Sequence, residues 1–600
     1  KNKTGVKPKD AYVILGINYA HNSSAALLVG GEIVAACQEE RFSRIKNQIG
    51  FPLKSIEFCL KEAKLESKDI DEIVVCGRLQ LPFYLSISRN LKEKPGKELV
   101  EIGDIFHFFR YRILHTLAYY FPFLQDVDYF LTWFIDHFVG PFIRKKMKDD
   151  LSKRLNVGKE KITFVDHHSA HAAFAYYSSG YADTAKNTLV FCADGGGDEV
   201  CASIWLARKR KLKRISVTSI VNSIAYIYMY TTLYLGLTPV EDEYKVMGLA
   251  PYGKGKLVQR LFNKLDEFVF VDKKTFAFKT NVNTNLFYKY LNKIFYQERF
   301  DSIAGAVQKL VEVKVSEWVK IVVDHYRVDT VAFGGGLFAN VKLNQRIASL
   351  PSIKQVFFAP SPGDESNCIG ACYLRYKELI SGGSVKPLRD LFLGPGIGED
   401  DLESALEAAK RKGFRVEKIG DINQKVADLL ASGEIVARMR GSVEFGTRAL
   451  GNRSILADPS RLEVKDFLNK AIKSRDFWMP FAPSIMEGKI DNYLINPKHF
   501  RSPFMMMSFD TTKQGEKDLA SAIHPYDKTA RAQFVSKKEN FDYWDLLLKF
   551  GEKTSRWGIL NTSFNLHGEP IVLTAKDALA TFANSGLRFL QIEDYLVEKR

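Results

Sequence analysis

Hydrophobic and polar positions along the chain alternate with two different periods, and where they change they outline the elements. Near the start, YVILGINYA and HNSSAALLVGGEIVAA are runs of β-branched and small residues around a polar tip. They predict a strand, a tight turn and a second strand. Thr188 to Leu206 repeats that design as TLVFCADGGGDEVCASIWL, with the turn predicted at Asp194 to Asp198, so an internal duplication is expected. Thr330 to Phe333 reads as a buried strand that ends in Gly334, Gly335 and Gly336. Helical spacing then runs through Leu337, Asn340 and Leu343.

Glycines between a strand and a helix let backbone approach a nucleotide. Two polar-tipped hairpins followed by a strand, three glycines and a helix form the layout of the actin/sugar-kinase/Hsp70 superfold. The punctuation Ser381-Gly382-Gly383-Ser384 and Gly394-Pro395-Gly396 predicts a domain boundary near residue 385. Beyond it, helical patterns (Asp401 to Lys412, Gln424 to Ser432) alternate with short strands (Arg415 to Ile419, Ile435 to Arg440), so the second domain is expected to mix α and β as well. The expected division is therefore 1–385 and 386–600.

Composition supports that size of fold: 600 residues at 46% hydrophobic content exceed what one core organises. A formal charge of +16 suits anionic partners such as nucleotides, small phosphorylated substrates, nucleic acid or a membrane surface, and equally a generally basic protein. Seven cysteines without a CxxC pair argue against a disulfide framework or a zinc-thiolate site, which fits a reducing cytoplasm. The polar N-terminus shows no secretory signal. Thr116 to Ile143 carries Asp126, Asp128 and Asp136 with Pro122, and Ser223 to Leu237 is too short to cross a bilayer, so neither reads as transmembrane.

In VDHHSAHAAFAYY, His167 and His171 are four residues apart on an expected helix, which puts both imidazoles on one face. With Asp194 and with Asp364 of PSPGDES they could hold Fe(II), Mn(II) or Zn(II). From spacing alone a structural pair is an equal reading. His21, at the first hairpin tip, is placed for a general base, or for a turn histidine bonded to its own loop. Lys245 and Gly248 fall in a charged helix start whose role spacing does not decide. Arg448, Lys473, Arg531 and Ser563, near Arg453, Arg475, Asn561 and Asn565, are the donors that a phosphate dianion and a planar carbamate need, though each arginine alone reads as surface charge.

Ten segments in order, including EERFSRIKN, DHHSAHAA, DEYKVMGLAPYG, FGGGLFANVKLN, PGDESNCIGA, EFGTRALGNRSILADPS, DKTARAQ and NTSFNLHGEPIV, make the chain resemble the ATP-dependent O-carbamoyltransferases of nodulation-factor and antibiotic biosynthesis. The resemblance implies an α/β protein: a duplicated actin/Hsp70-like domain related to threonylcarbamoyl transferases, then a YrdC-like α/β domain. It implies that carbamoyl phosphate and ATP give carbamoyl adenylate, and that the carbamoyl group passes to an acceptor hydroxyl. By that resemblance His167, His171, Asp194 and Asp364 ligate a divalent metal, usually iron, and His21 is the base. Lys245, Gly248, Gly334, Gly335, Gly336 and Asn340 meet the nucleotide, and Arg448, Lys473, Arg531 and Ser563 meet carbamoyl phosphate or the adenylate.

A small-molecule or saccharide acceptor is expected and nucleic acid is not; the sequence specifies neither the acceptor nor the oligomeric state. The aromatic and basic insertion Leu79 to Lys153 is expected either to shape the acceptor pocket, to touch a membrane surface or to pack as ordinary helices. Rival readings are a threonylcarbamoyl-type tRNA-modifying enzyme, a sugar kinase of the same superfold and a silent nucleotide-binding scaffold.

Overall fold

A computed structural model describes residues 11–78, 137–138, 140–184, 186–380, 382–473 and 476–599, without the side chains of Ala471 and Lys473. Most of the 79–153 insertion therefore lies outside the described residues. Its described end is the helix Gly140–Leu155. The chain divides into two compact units, one of residues 1–39, 47–339 and 346–388, the other of residues 40–46, 340–345 and 389–600.

The first unit holds two five-stranded sheets. One contains β1 (Val13–Asn18), β2 (Ser24–Val29), β3 (Glu32–Gln38), β4 (Glu72–Cys76) and β5 (Ile162–Val165) in the order β3-β2-β1-β4-β5. Strands β1 to β3 form an antiparallel meander, and β4 and β5 run parallel to β1. The other contains β6 (Thr188–Gly197), β7 (Val200–Arg208) and β8 (Lys211–Ser219). After a separate hairpin of β9 (Val269–Asp272) and β10 (Ala277–Thr280), it is completed by β11 (Thr330–Gly334) and β12 (Gln355–Phe358). Its order β12-β11-β6-β7-β8 repeats the first sheet, with β11 parallel to β6 and to β12. The duplication expected from two hairpins thus extends to whole five-stranded halves, the architecture of the actin/Hsp70 superfold.

Two turns fall elsewhere than the patterning suggested. The run HNSSAALLVGGEIVAA is two strands, because Gly30 (φ 56°) and Gly31 (φ 87°) adopt the left-handed conformation of a reversal. In the second hairpin the strand continues through Gly197 and the reversal is made by Asp198 (φ 50°) and Glu199 (φ 66°), which leaves Asp194 on the strand.

Alternate residues of β1 face opposite layers. Val13, Leu15 and Ile17 join a core with Ile56, Cys59 and Leu60 of the helix Leu53–Ala63. Ile143, Met147, Leu151 and Leu155 of the helix Gly140–Leu155 add to it at four-residue spacing. On the other face the helix Asn367–Leu379 comes so close that a Cβ on Gly16 would stand 2.0 Å from the Cys368 carbonyl oxygen. The same helix approaches the helix His167–Ser178, where a Cβ on Gly370 would stand 2.0 Å from the Ala170 carbonyl oxygen.

The second unit is built on a mixed eight-stranded sheet. Its strands are β13 (Arg415–Lys418), β14 (Val436–Met439), β15 (Arg453–Ala457), β16 (Ala482–Met486), β19 (Gln533–Val535), β20 (Gly558–Ser563), β21 (Phe589–Ile592) and β22 (Tyr595–Glu598), in the order β13-β22-β21-β14-β15-β20-β16-β19. A two-stranded pair, β17 (Leu494–Ile495) and β18 (Asp510–Thr511), stands apart. Period-2 alternation feeds two cores. Val436, Leu456 and Ile559 pack with the helices Ile422–Ser432 and Phe541–Thr554. Ala437, Ile455 and Leu560 pack with the helices Glu399–Arg411 and Ala575–Ala583.

No helix among the described residues is long and apolar enough to cross a membrane. Gly370→Ala should overpack the helix contact and lower the stability of the protein by about 1–3 kcal/mol, read as an earlier midpoint in denaturant unfolding; an unchanged midpoint would show that the two helices can separate freely.

Candidate metal centre and anion-binding segments

In the first unit, most of the proposed site residues lie at or just beyond the carboxyl ends of strands that run parallel in the sheets. His21 follows β1, His167 follows β5, Asp194 lies near the end of β6, Gly334 to Gly336 close β11 and Asp364 follows β12. The carboxyl ends of parallel strands are where α/β sheets collect ligands.

The helix His167–Ser178 begins where it does because Asp166 caps it, its side chain accepting from Ser169 N at 2.9 Å. Asp198 accepts from His167 N at 2.9 Å and ties the same helix end to the β6–β7 turn. One turn apart, His167 and His171 bring their Nε2 atoms to 3.1 Å. Asp194 Oδ2 lies 3.0 Å from His167 Nε2 and 3.2 Å from His171 Nε2, and Asp364 Oδ1 lies 3.4 Å from both. The four potential ligand atoms all fall within 4.8 Å of one another.

These separations fit a metal ion. With metal–ligand bonds of about 2.0–2.2 Å, neighbouring donors stand about 3.0 Å apart around an octahedron and about 3.4 Å around a tetrahedron. Hydrogen bonding alone does not satisfy the cluster, because a neutral imidazole nitrogen can donate one proton, yet His167 Nε2 meets three polar atoms. His171 Nδ1 is buried without a hydrogen-bond partner among the described residues, and the buried Asp194 Oδ1 has a long contact, 3.4 Å, to His168 Nε2. His167, His171 and Asp194 are buried, whereas 27% of the Asp364 side chain is exposed, which marks the side from which an ion or substrate would enter.

Burial works against the imidazolium form of His167, but the adjacent Asp364 and Asp194 carboxylates hold its pKa well above the usual histidine value. His171 is raised against burial in the same way by the two carboxylates. Burial likewise opposes the ionised form of Asp194, yet its three histidine neighbours keep it well below the usual carboxylate range, and His167 and His171 lower Asp364. The two carboxylates thus favour positive charge between them, and metal uptake would release any proton held on the imidazoles.

Several supporting residues carried no sequence signal. His168 is fully buried, with Nε2 3.0 Å from Val200 O and 3.4 Å from Asp194 Oδ1, and Nδ1 3.1 Å from Ser203 Oγ. Trp205 Nε1 donates to that Ser203 Oγ at 2.9 Å, so the serine proton is directed to His168 Nδ1 and the Nε2–H faces Val200 and Asp194. His168 therefore orients the aspartate. Cys76, beside His167, is pushed up to about 11 by burial and remains a thiol. Gly197 lies under the His167 ring, where a Cβ would stand 2.4 Å from Cγ. The triple glycine after Asp194 was a visible signal, but one that pointed to a turn rather than to room for an imidazole.

The glycines at the end of β11 divide in role. A Cβ on Gly334 would meet the His171 carbonyl oxygen at 2.9 Å and one on Gly335 the Ala193 carbonyl oxygen at 2.3 Å, so both are accounted for by packing around the centre. Gly336 borders open space. His21 is half-buried in a tip held by Asn18, whose Nδ2 donates to His21 O at 2.9 Å. The neighbouring Ser24 Oγ donates to Glu365 O at 2.7 Å, fastening this tip to the Asp364 loop. Lys245 pairs with Asp242 at 3.2 Å on the helix Glu243–Leu249, which also contains Gly248. Asn340, grouped with the second unit, accepts from Leu343 N at 3.0 Å and caps the helix Val341–Ser349.

In the second unit Arg448 is half-buried in the loop between β14 and β15. Buried Glu444 organises that loop by accepting from the backbone N–H of Leu450 and Asn452, each at 2.8 Å. Asn561, two residues before Ser563 on β20, donates to Ala449 O at 3.2 Å. Gln533, two residues after Arg531, donates to Leu450 O at 3.0 Å. The structure therefore brings together the segments carrying Arg448, Arg531 and Ser563; the Lys473 side chain is outside the described residues. Arg453 is structural, its guanidinium donating to Arg440 O at 3.0 Å and Gly441 O at 2.9 Å, and burial pushes it down to about 10. Within the EERFSRIKN segment, Arg41 donates to Gly446 O at 2.5 Å and Arg44 to Ile571 O at 2.6 Å, so it braces the second unit.

Fold and site together define a two-unit α/β protein with a buried centre of two histidines and two aspartates in its duplicated half. The family models for the carbamoyltransferase N-terminus and C-terminus match residues 13–373 and 427–599. The chain belongs to the carbamoyltransferase family. An uncharacterized protein of Methanocaldococcus jannaschii is 31% identical over 599 residues, 98% of this chain and 100% of its own. The nodulation protein NolNO of Sinorhizobium fredii is 28% identical over 593 residues, 97% of this chain and 79% of its own. Among solved structures, component A of the Acidaminococcus fermentans (R)-2-hydroxyglutaryl-CoA dehydratase aligns with 61% of this chain and 98% of its own at 11% identity and a TM-score of 0.32, too weak a likeness to carry an argument.

Metal analysis of the purified protein should find about one divalent ion per chain, and His171→Ala should lose it. Gly197→Ala should also reduce metal content by displacing the His167 ring, with the circular dichroism spectrum unchanged. Equal metal content in wild type and His171→Ala would remove the centre.

Proposed function

We propose that this carbamoyltransferase works in two steps on two sites. The second unit converts carbamoyl phosphate and ATP into carbamoyl adenylate, with release of phosphate and pyrophosphate, and the first unit transfers the carbamoyl group to a hydroxyl of a natural product or saccharide, with release of AMP. The observation that carries this reading is the convergence of His167, His171, Asp194 and Asp364 in a chain of this family. A bound divalent ion, Fe(II) by family resemblance, would supply positive charge against the adenylate phosphate as it leaves.

The chain's own residues account for the rest. His21, on the hairpin tip bonded to the Asp364 loop through Ser24, accepts the proton of the acceptor hydroxyl as its oxygen bonds to the carbamoyl carbon and the bond to the AMP oxygen breaks. Backbone at Gly336, with Lys245 and Gly248, contacts nucleotide. Arg448, Arg531 and Lys473 offer cations to phosphate oxygens, and Ser563 offers a hydroxyl. Ser563 donates that one proton to Asn565 Oδ1 at 2.8 Å in this structure, a bond it would exchange for a phosphate oxygen on binding. Keeping both steps in one chain shelters a labile carbamate from bulk water.

AMP and pyrophosphate should form from ATP only when carbamoyl phosphate is present. Arg531→Ala should abolish that pyrophosphate release while still transferring from supplied carbamoyl adenylate. His21→Asn should do the reverse, still making adenylate but transferring about a hundredfold more slowly. ADP formed with a sugar would mark a kinase instead, and dependence on threonine, bicarbonate and tRNA would mark a tRNA-modifying enzyme. Wild-type transfer by His21→Asn would move the base elsewhere.

A further inference from the structure

Asn367 opens the helix Asn367–Leu379 three residues after Asp364, and its side chain is fully buried. Its Nδ2 lies 3.2 Å from His171 Nε2, and its Oδ1 is buried without a hydrogen-bond partner among the described residues. His171 Nε2 consequently has four polar neighbours at similar range: His167 Nε2 at 3.1 Å, Asp194 Oδ2 at 3.2 Å, the Asn367 amide at 3.2 Å and Asp364 Oδ1 at 3.4 Å. A corner of a tetrahedron has three neighbours; a corner of an octahedron has four, at the spacing seen here.

We propose that Asn367 is a fifth protein ligand, presenting its amide oxygen to the ion held by the other four residues. The proposal rests on the metal reading of those four. Once His171 Nε2 gives its lone pair to a metal it can no longer accept from the Asn367 N–H, and an amide NH2 there would point its positive end at a cation. A half-turn about the Cβ–Cγ bond exchanges the two amide atoms without changing the shape of the side chain, and brings the unpartnered oxygen to the metal side. The resulting set of two nitrogens and three oxygens leaves one octahedral position for a water or substrate oxygen. It suits Mn(II) or Fe(II) better than Zn(II), which favours four ligands.

The test is titration of the metal-free, full-length protein with Co(II), followed by equilibrium dialysis and by X-ray absorption at the cobalt edge. Asn367→Leu keeps the shape and removes the oxygen, and should weaken Co(II) binding by about tenfold or more. Asn367→Asp keeps an oxygen and loses the N–H, and should bind at least as tightly as wild type. Wild-type protein should show a five- or six-coordinate ion. Wild-type affinity in Asn367→Leu, a loss in Asn367→Asp as large as that in Asn367→Leu, or a four-coordinate wild-type spectrum would reduce Asn367 to a hydrogen-bond donor and overturn the proposal. Failure of the wild type to take up Co(II) would overturn the metal reading itself, and this inference with it.

Discussion

Two carboxylates and two imidazoles occupy one largely buried volume in the first unit, and their charge balance is the constraint on which its architecture turns. Asp194 and Asp364 come from different elements, and their ligand oxygens lie within 4.8 Å of each other. In a low-dielectric interior such a pair is costly unless positive charge stands between them. The protein supplies it by raising the proton affinity of His167 and His171 or by holding a cation. Either way the four groups must converge from a helix, a strand and a loop that are far apart in the chain.

Convergence is achieved by removing side chains at the crossings. Gly16, Gly334, Gly335 and Gly370 each stand where a Cβ would strike a backbone carbonyl or its neighbour. They let the helix Asn367–Leu379 and the end of β11 settle against β1, the helix His167–Ser178 and β6. Gly197 makes room for the His167 ring in the same way. His168, through Ser203 and Trp205, aims Asp194, and Asp198 anchors the histidine helix. The glycine-rich runs that read as turns or nucleotide loops are in large part packing devices around this centre.

The second unit uses buried polarity differently. Glu444 gathers successive backbone N–H groups to shape the loop of Arg448, while Arg453 and Arg41 are consumed on carbonyl oxygens. The two arginines of EFGTRALGNRSILADPS therefore divide: fully buried Arg453 shapes the backbone, whereas Arg448 is only half-buried. Sequence proximity could not separate them, because both kinds lie among glycines and small residues.

Local periodicity was enough for the elements: the strand runs, the histidine helix and the alternating α and β of the second unit all follow from side-chain patterns of period 2 and 3.6, which short-range sterics impose. The i, i+4 spacing likewise placed His167 and His171 on one face, and family resemblance named Asp194 and Asp364 as their partners. What periodicity does not contain is distance across the fold. Only tertiary structure separated β2 from β3 at Gly30-Gly31, kept Asp194 on its strand, brought Asp364 to both histidines and put Asn367 and His168 beside them. Those facts depend on which backbones can touch, and that is decided jointly by residues hundreds of positions apart.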